Sequence, residues 1–123
     1  MKTYGKELIL DIYECNPKKF TRKELKKFFH LLCNNIDMER CDLHFWDYKG
    51  YPKEYKEAPA HLKGTSAIQF IKTSNITVHA LDEMKRIYIN IFSCKDFDAK
   101  CAIAFSKAYF EGVIKKKTVV NRI

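Results

Sequence analysis

The hydrophobic pattern of the chain switches between two periods, and the switches mark out its elements. LILDIY, Leu8 to Tyr13, is a short run rich in branched residues that reads as a strand, closed by the turn chemistry of Asn16-Pro17. Leu25, Phe28, Phe29, Leu32 and Ile36 then recur at helical spacing behind a T-x-x-E capping box, Thr21 and Glu24, which predicts a helix with one buried stripe. DLHFWDY, Asp42 to Tyr48, alternates as a strand, with Leu43, Phe45 and Asp47 on one side and His44, Trp46 and Tyr48 on the other. Between Lys49 and Lys63 the pattern gives way to Gly, Pro, Lys and Glu, the composition of a long surface loop. Three strands follow in quick succession, Ser66 to Lys72, Ile76 to Ala80 and Arg86 to Phe92, the last setting Ile87, Ile89 and Ile91 against Tyr88, Asn90, Phe92 and then Cys94. Asp98 caps a second helix, Ala99 to Phe110, whose buried face is expected to be Cys101, Ala104, Phe105, Ala108 and Tyr109. KKTVVNRI reads as a closing edge strand.

The order β-α-β-β-β-β-α-β predicts a single α+β domain over residues 1–123: a two-layer α/β sandwich with one antiparallel sheet and two helices on one face. The other face of such a sheet stays uncovered, and apolar or reactive side chains there call for a second copy of the chain as its cover.

Composition narrows the function classes. A content of 46% apolar residues in 123 is enough for one packed core. The five cysteines are odd in number and form no CxxC pair, which excludes a disulfide framework and a zinc ribbon and leaves reduced thiols. His30, His44 and His61 lack ligand spacing with any Cys or Asp pair, so no metal site is expected. No apolar run approaches the roughly 20 residues of a membrane span, and charges interrupt Met1 to Tyr13 where a signal peptide is apolar; a cytoplasmic protein without membrane contact is expected. The net charge of +8 attracts polyanions in a general way. Its lysines are interleaved with Glu and Asp (KKFTRKELKK, KEYKEAPAHLK), and the one compact basic run is Lys115 to Lys117, the pattern of a solvated face rather than a nucleic-acid site. An RNA-binding sheet would need exposed aromatics, for which Phe45, Trp46 and Tyr48 are the available residues.

TSNITVHALDE, residues 73–83, carries the candidate chemistry. Ser74, Asn75, Thr77 and His79 make a poor strand, so they either face water along a half-exposed edge or mark a chain that reacts with its own backbone at Ser74. Ser66 opens the preceding strand and Cys94 ends the following one; in an antiparallel meander these ends are expected to bring hydroxyl, imidazole and thiol together.

Residues 64–94 resemble the small, prokaryotic type of S-adenosylmethionine decarboxylase proenzyme. Family members carry F-x-P-x-G-V-S, then E-S-H-x-[ST]-I-H-T-W-P-E, then F-T-C; the corresponding stretches are AHLKGTS, TSNITVHALDE and FSC. Ser66, Ser74, His79 and Cys94 fall in register without a gap, and a looser likeness reaches Gly5, ELILDIYEC, Asp96 and Asp98. The resemblance implies self-cleavage between Thr73 and Ser74, a pyruvoyl cofactor made from Ser74, and a homodimer whose site is shared between protomers. It implies that Ser66 and His79 assist processing, that His79 removes the α-proton of Ser74, that Cys94 is the general acid, and that Glu83 holds the ribose of a small-molecule substrate in polyamine (spermidine) synthesis. The first step is uphill unless the backbone is strained and the oxyanion is met by donors.

Several positions depart from the motif, among them Thr73 in place of Glu, Asn75 in place of His, and Ala60 and Leu81 in place of the Phe and Trp that lie against the adenine. Each lost stacking contact costs about 1–3 kcal/mol. The segment from Phe45 to Tyr55, with Trp46, Tyr48 and Tyr51, is one replacement. A smaller cationic substrate, arginine or ornithine, with Asp82 and Glu83 receiving its charged end, is another. A relative that stays uncut and only binds a ligand is a third.

Overall fold

A computed structural model describes residues 3–123, so Met1 and Lys2, the start of the charged N-terminal stretch, lie outside the described residues. Six strands form one antiparallel sheet: β1 (Gly5–Tyr13), β2 (Arg40–Trp46), β3 (Gly64–Ile71), β4 (Ser74–Leu81), β5 (Arg86–Ser93) and β6 (Val113–Arg122), in the order β2-β3-β4-β5-β1-β6. Strict alternation decides which side chains go inward. Leu8, Leu10 and Ile12 of β1, Ile76, Val78 and Ala80 of β4, and Ile87, Ile89 and Ile91 of β5 are all buried on one face.

Two helices cover that face, α1 (Arg22–Ile36) and, later in the chain, the helix Ala99–Phe110, as the two-layer sandwich requires. The buried stripe of α1 is the expected one, Leu25, Phe28, Phe29, Leu32 and Ile36, extended by Cys33. Phe28 is its centre, with ring centroids 4.7 Å from Phe110 and 5.8 Å from Phe105. Side chains of that size stabilise the fold by about 1.5–3 kcal/mol each when fully buried. The Thr21 hydroxyl accepts the Glu24 N–H at 3.2 Å, one half of the capping box. The Glu24 carboxylate accepts instead from the Tyr109 hydroxyl at 2.7 Å, tying the helices together.

Two expectations are corrected. The stretch from 49 to 63 is not wholly irregular: it contains α2 (Pro52–Glu57), started by a proline at its first turn, and a 3₁₀ turn at Ala60–Leu62. In α3 (Ala99–Phe110) the fully buried residues are Ala102, Ser106 and Phe110, whereas Ala104 and Ala108 are exposed. Cys101, Phe105 and Tyr109 are half-buried against the first layer of core residues. Small side chains at 102 and 106 let the helix approach the sheet closely, a preference that hydrophobicity alone does not reveal.

The uncovered face is set out in rows. Register places Trp46, Ser66, His79, Tyr88, Asp11 and Lys116 side by side across β2, β3, β4, β5, β1 and β6. A neighbouring row holds His44, Ile68, Thr77, Asn90, Ile9 and Thr118. Trp46, Ile68 and Phe70 are exposed on this face, which leaves apolar surface that no other described residue covers.

Candidate active site

The β3–β4 hairpin turns at Lys72-Thr73, and β4 opens at Ser74 with φ at 153°, a backbone angle that residues with a side chain rarely adopt. The Thr73 carbonyl, the one that a Ser74 hydroxyl would attack, accepts the backbone N–H of Cys94 at 3.2 Å. Asn75 Nδ2 donates to Ser74 Oγ at 3.2 Å. This end is tight because β1 begins with a glycine: a Cβ on Gly5 would lie 2.3 Å from the Ser93 carbonyl oxygen and 2.8 Å from Cys94 Cα. Cys94 is exposed beside a cavity of about 320 Å³ lined also by Tyr4, Lys6 and Asp96. Hydrogen bonding to the Cys94 thiol raises the Tyr4 phenol above its ordinary pKa.

Ser66 and His79 form a second centre. Their strands pair in register, and Ser66 Oγ lies 2.8 Å from His79 Nδ1. The imidazole stacks on Tyr88 with centroids 6.5 Å apart. Trp46, 66% exposed, stands opposite Ser66 on the other side. It touches Tyr48 edge-on at 5.5 Å, and Tyr48 touches Tyr55 at 5.8 Å, so an aromatic line runs from the sheet face into α2.

The four candidate residues therefore do not meet within the chain, contrary to the meander expectation. Ser74 pairs with Ser93 and Ile71, whereas His79 pairs with Ser66 and Tyr88, five positions further along β4. At 3.4 Å per residue the two centres stand roughly 17 Å apart. Ser66 is the third residue of β3 rather than its first, which carries it away from the strand end.

Asp82 and Glu83 lie beyond His79 at the far end of β4, where a cleft of about 740 Å³ opens between them, the start of α1 and the 47–55 segment. Neither carboxylate is free. Tyr55 donates to Asp82 Oδ2 at 2.7 Å, and Lys63 Nζ bonds Glu83 Oε1 at 2.8 Å. Burial raises the Asp82 pKa against the opposing pull of Tyr55 and Lys63, and donation to Asp82 pushes the Tyr55 hydroxyl up to about 12. Lys63 is itself buried, held by Glu83 and the Lys56 carbonyl and lying over the Tyr55 ring. Of the two positions where the motif has aromatics, Ala60 is half-buried and Leu81 buried. Among the described residues no three His, Cys, Asp or Glu side chains gather as a metal would need, and no helix is long and apolar enough to cross a membrane.

The sequence model of the S-adenosylmethionine decarboxylase family matches residues 6–122. The chain belongs to that family. An S-adenosylmethionine decarboxylase proenzyme of Clostridium botulinum (strain Langeland) is 31% identical over 124 residues, covering 100% of this chain and 95% of its own length. A proenzyme of the same description from a Hydrogenobaculum species is 26% identical over 98 residues, covering 77% of this chain and 63% of its own. The fold is shared with the crystal structure of the adenosylmethionine decarboxylase from Aquifex aeolicus, at a TM-score of 0.77, 17% identity, and coverage of 99% and 92%. Family membership agrees with the motif resemblance, whereas Ser93, Met38, Lys63 and Tyr55 escaped the sequence reading. Ser93 was findable in principle: counting back from the turn after Leu81 sets it opposite Ser74.

Proposed function

We propose that the chain is a pyruvoyl-dependent S-adenosylmethionine decarboxylase proenzyme that cuts itself between Thr73 and Ser74 and serves polyamine synthesis. The observation that carries this reading is the Cys94 N–H on the Thr73 carbonyl, next to a Ser74 backbone held at φ 153°. A donor already in place stabilises the oxyanion of the acyl shift, and strain of about 1–3 kcal/mol raises the peptide toward the ester.

In that shift the Ser74 hydroxyl oxygen bonds to the Thr73 carbonyl carbon, the peptide C–N bond breaks, and the hydroxyl proton passes to the freed amine. His79 next takes the α-proton of Ser74; the Cβ–Oγ bond breaks and Thr73 leaves as a carboxylate with the electron pair. Tautomerisation and hydrolysis release ammonia and leave the pyruvoyl group at the new N-terminus. Ser66 holds the His79 ring through Nδ1, leaving Nε2 to act as the base.

The residues fit this group: the peptide leading into its precursor is held by the Cys94 N–H, and the exposed Cys94 thiol borders a small polar cavity. When formed, the ketone draws off the electron pair released as carbon dioxide departs. Cys94 returns a proton to the substrate carbon that lost the carboxylate. Trp46 supplies an aromatic face beside the Ser66–His79 pair in place of those missing at Ala60 and Leu81, which favours the nucleoside substrate over a bare amino acid. Glu83 and Asp82 bind the substrate's polar end, Glu83 exchanging Lys63 for ribose hydroxyls.

The roughly 17 Å between the two centres favours a homodimer. Two uncovered sheet faces stacked about a two-fold axis, perpendicular to the strands and level with residues 76–77, would set each Ser66–His79 pair against the other protomer's Ser74. Mass spectrometry of the purified chain tests the reading: two fragments parting after Thr73, the second blocked by pyruvate, together with carbon dioxide released from carboxyl-labelled S-adenosylmethionine. A chain that stays whole on long incubation, or turnover that Ser74→Ala leaves unchanged, overturns it.

A further inference from the structure

Behind the Thr73–Ser74 peptide lies a partly buried hydroxyl network that the steps above do not use. Ser93 is fully buried, and its Oγ lies 2.7 Å from Thr73 Oγ1. The Lys95 N–H donates to the same Ser93 oxygen at 3.0 Å. Both hydroxyls also reach the sulfur of Met38, at 3.6 Å from Thr73 and 3.7 Å from Ser93. The proton count closes. If Thr73 donates to Ser93, Ser93 donates to Met38; if Ser93 donates to Thr73, Thr73 donates to Met38, and neither proton is left unpaired.

Thr73 is thus gripped twice by consecutive residues at the end of β5: its side chain by Ser93 and its carbonyl by the N–H of Cys94. Two points of attachment fix the plane of the peptide that follows, which one hydrogen bond to the carbonyl leaves free to rotate. That peptide leads into Ser74 at φ 153°, an angle the chain gives up unless its surroundings impose it.

Resting on the self-cleavage reading, we infer that Ser93 and Thr73 form a latch that positions the scissile carbonyl for the acyl shift, with Met38 as its acceptor floor. Ser93 is a positioning residue: it touches Thr73's side chain and not the reacting atoms. The latch acts on formation of the ester and has no part in its elimination.

The two steps separate by ester chemistry. Hydroxylamine cleaves an ester after Thr73 but not the peptide, so it cuts any chain that has completed the shift. The full chain is made by cell-free synthesis, and fragments 1–73 and 74–123 are followed with and without hydroxylamine. Losing one hydrogen bond of the pair is expected to slow parting about tenfold in Ser93→Ala, equally in both conditions, with Ser93→Thr restoring the rate. Thr73→Val is expected to behave as Ser93→Ala does, and Thr73→Ser as wild type; these more exposed variants keep the test open if Ser93→Ala does not fold. His79→Ala, which stops after the shift, is expected to be cut by hydroxylamine at the wild-type rate. Wild-type parting in both Ser93→Ala and Thr73→Val, or a defect in them that hydroxylamine abolishes, overturns the latch while leaving self-cleavage intact. A wild-type chain that never parts, even in hydroxylamine, removes self-cleavage and the latch together.

Discussion

In the proposed dimer, co-expressing His79→Ala with Ser74→Ala gives mixed pairs in which each chain holds what the other lacks. If the cleavage site joins Ser74 of one protomer to His79 of the other, one of the two sites in a mixed dimer is whole, and it is always the His79→Ala chain that is cut. Random pairing at equal amounts puts about half of the His79→Ala chains in mixed dimers, so cleavage plateaus at about half. A tenfold excess of Ser74→Ala raises the plateau to about nine in ten of them. The magnitude follows from the register of β4: with five positions between Ser74 and His79, no side-chain motion brings the imidazole to the Ser74 α-proton of its own chain. Intact mass reads the result directly, since the cut chain carries the alanine at 79 and the whole one the alanine at 74. Each variant alone is expected to remain a single species. No cleavage in the mixture, or complete cleavage of His79→Ala alone, would refute the shared site.

Two further predictions concern the substrate face and the scaffold. Trp46→Ala is expected to raise KM for S-adenosylmethionine about 5- to 150-fold with a smaller effect on kcat, from the loss of about 1–3 kcal/mol of stacking; an unchanged KM in steady-state assays shows that the nucleoside does not rest there. Arg22 holds Asp47 with bonds of 2.7 and 2.8 Å, which depresses the Asp47 pKa below its ordinary 3.8. A depressed carboxylate adds stability above the unfolded pKa and loses it as pH falls through the folded one. Asp47→Asn is therefore expected to be less stable than wild type at neutral pH, and the gap in urea midpoint should close as pH falls below about 4; a gap that persists in strong acid contradicts the ion pair.

The family motif was legible because its reactive residues lie within 66–94, where spacing along the chain is enough to recognise them. Their arrangement in space was not. Alternation assigned Ile87, Ile89 and Ile91 to the core, and helical spacing assigned Phe28 and Phe29, because burial follows a local period. Which strands lie side by side, and how far apart Ser74 and His79 fall, depends on pairing register, a long-range property. The same register set Trp46 opposite Ser66, Ser93 opposite Ser74, and Gly5 against the backbone of Ser93 and Cys94. Sequence by itself therefore determined the elements, the inward face and the residue types of the candidate site. Only the tertiary structure decided that those residues form two centres, because a strand carries successive side chains steadily apart and only its neighbours, or a second copy, bring partners back.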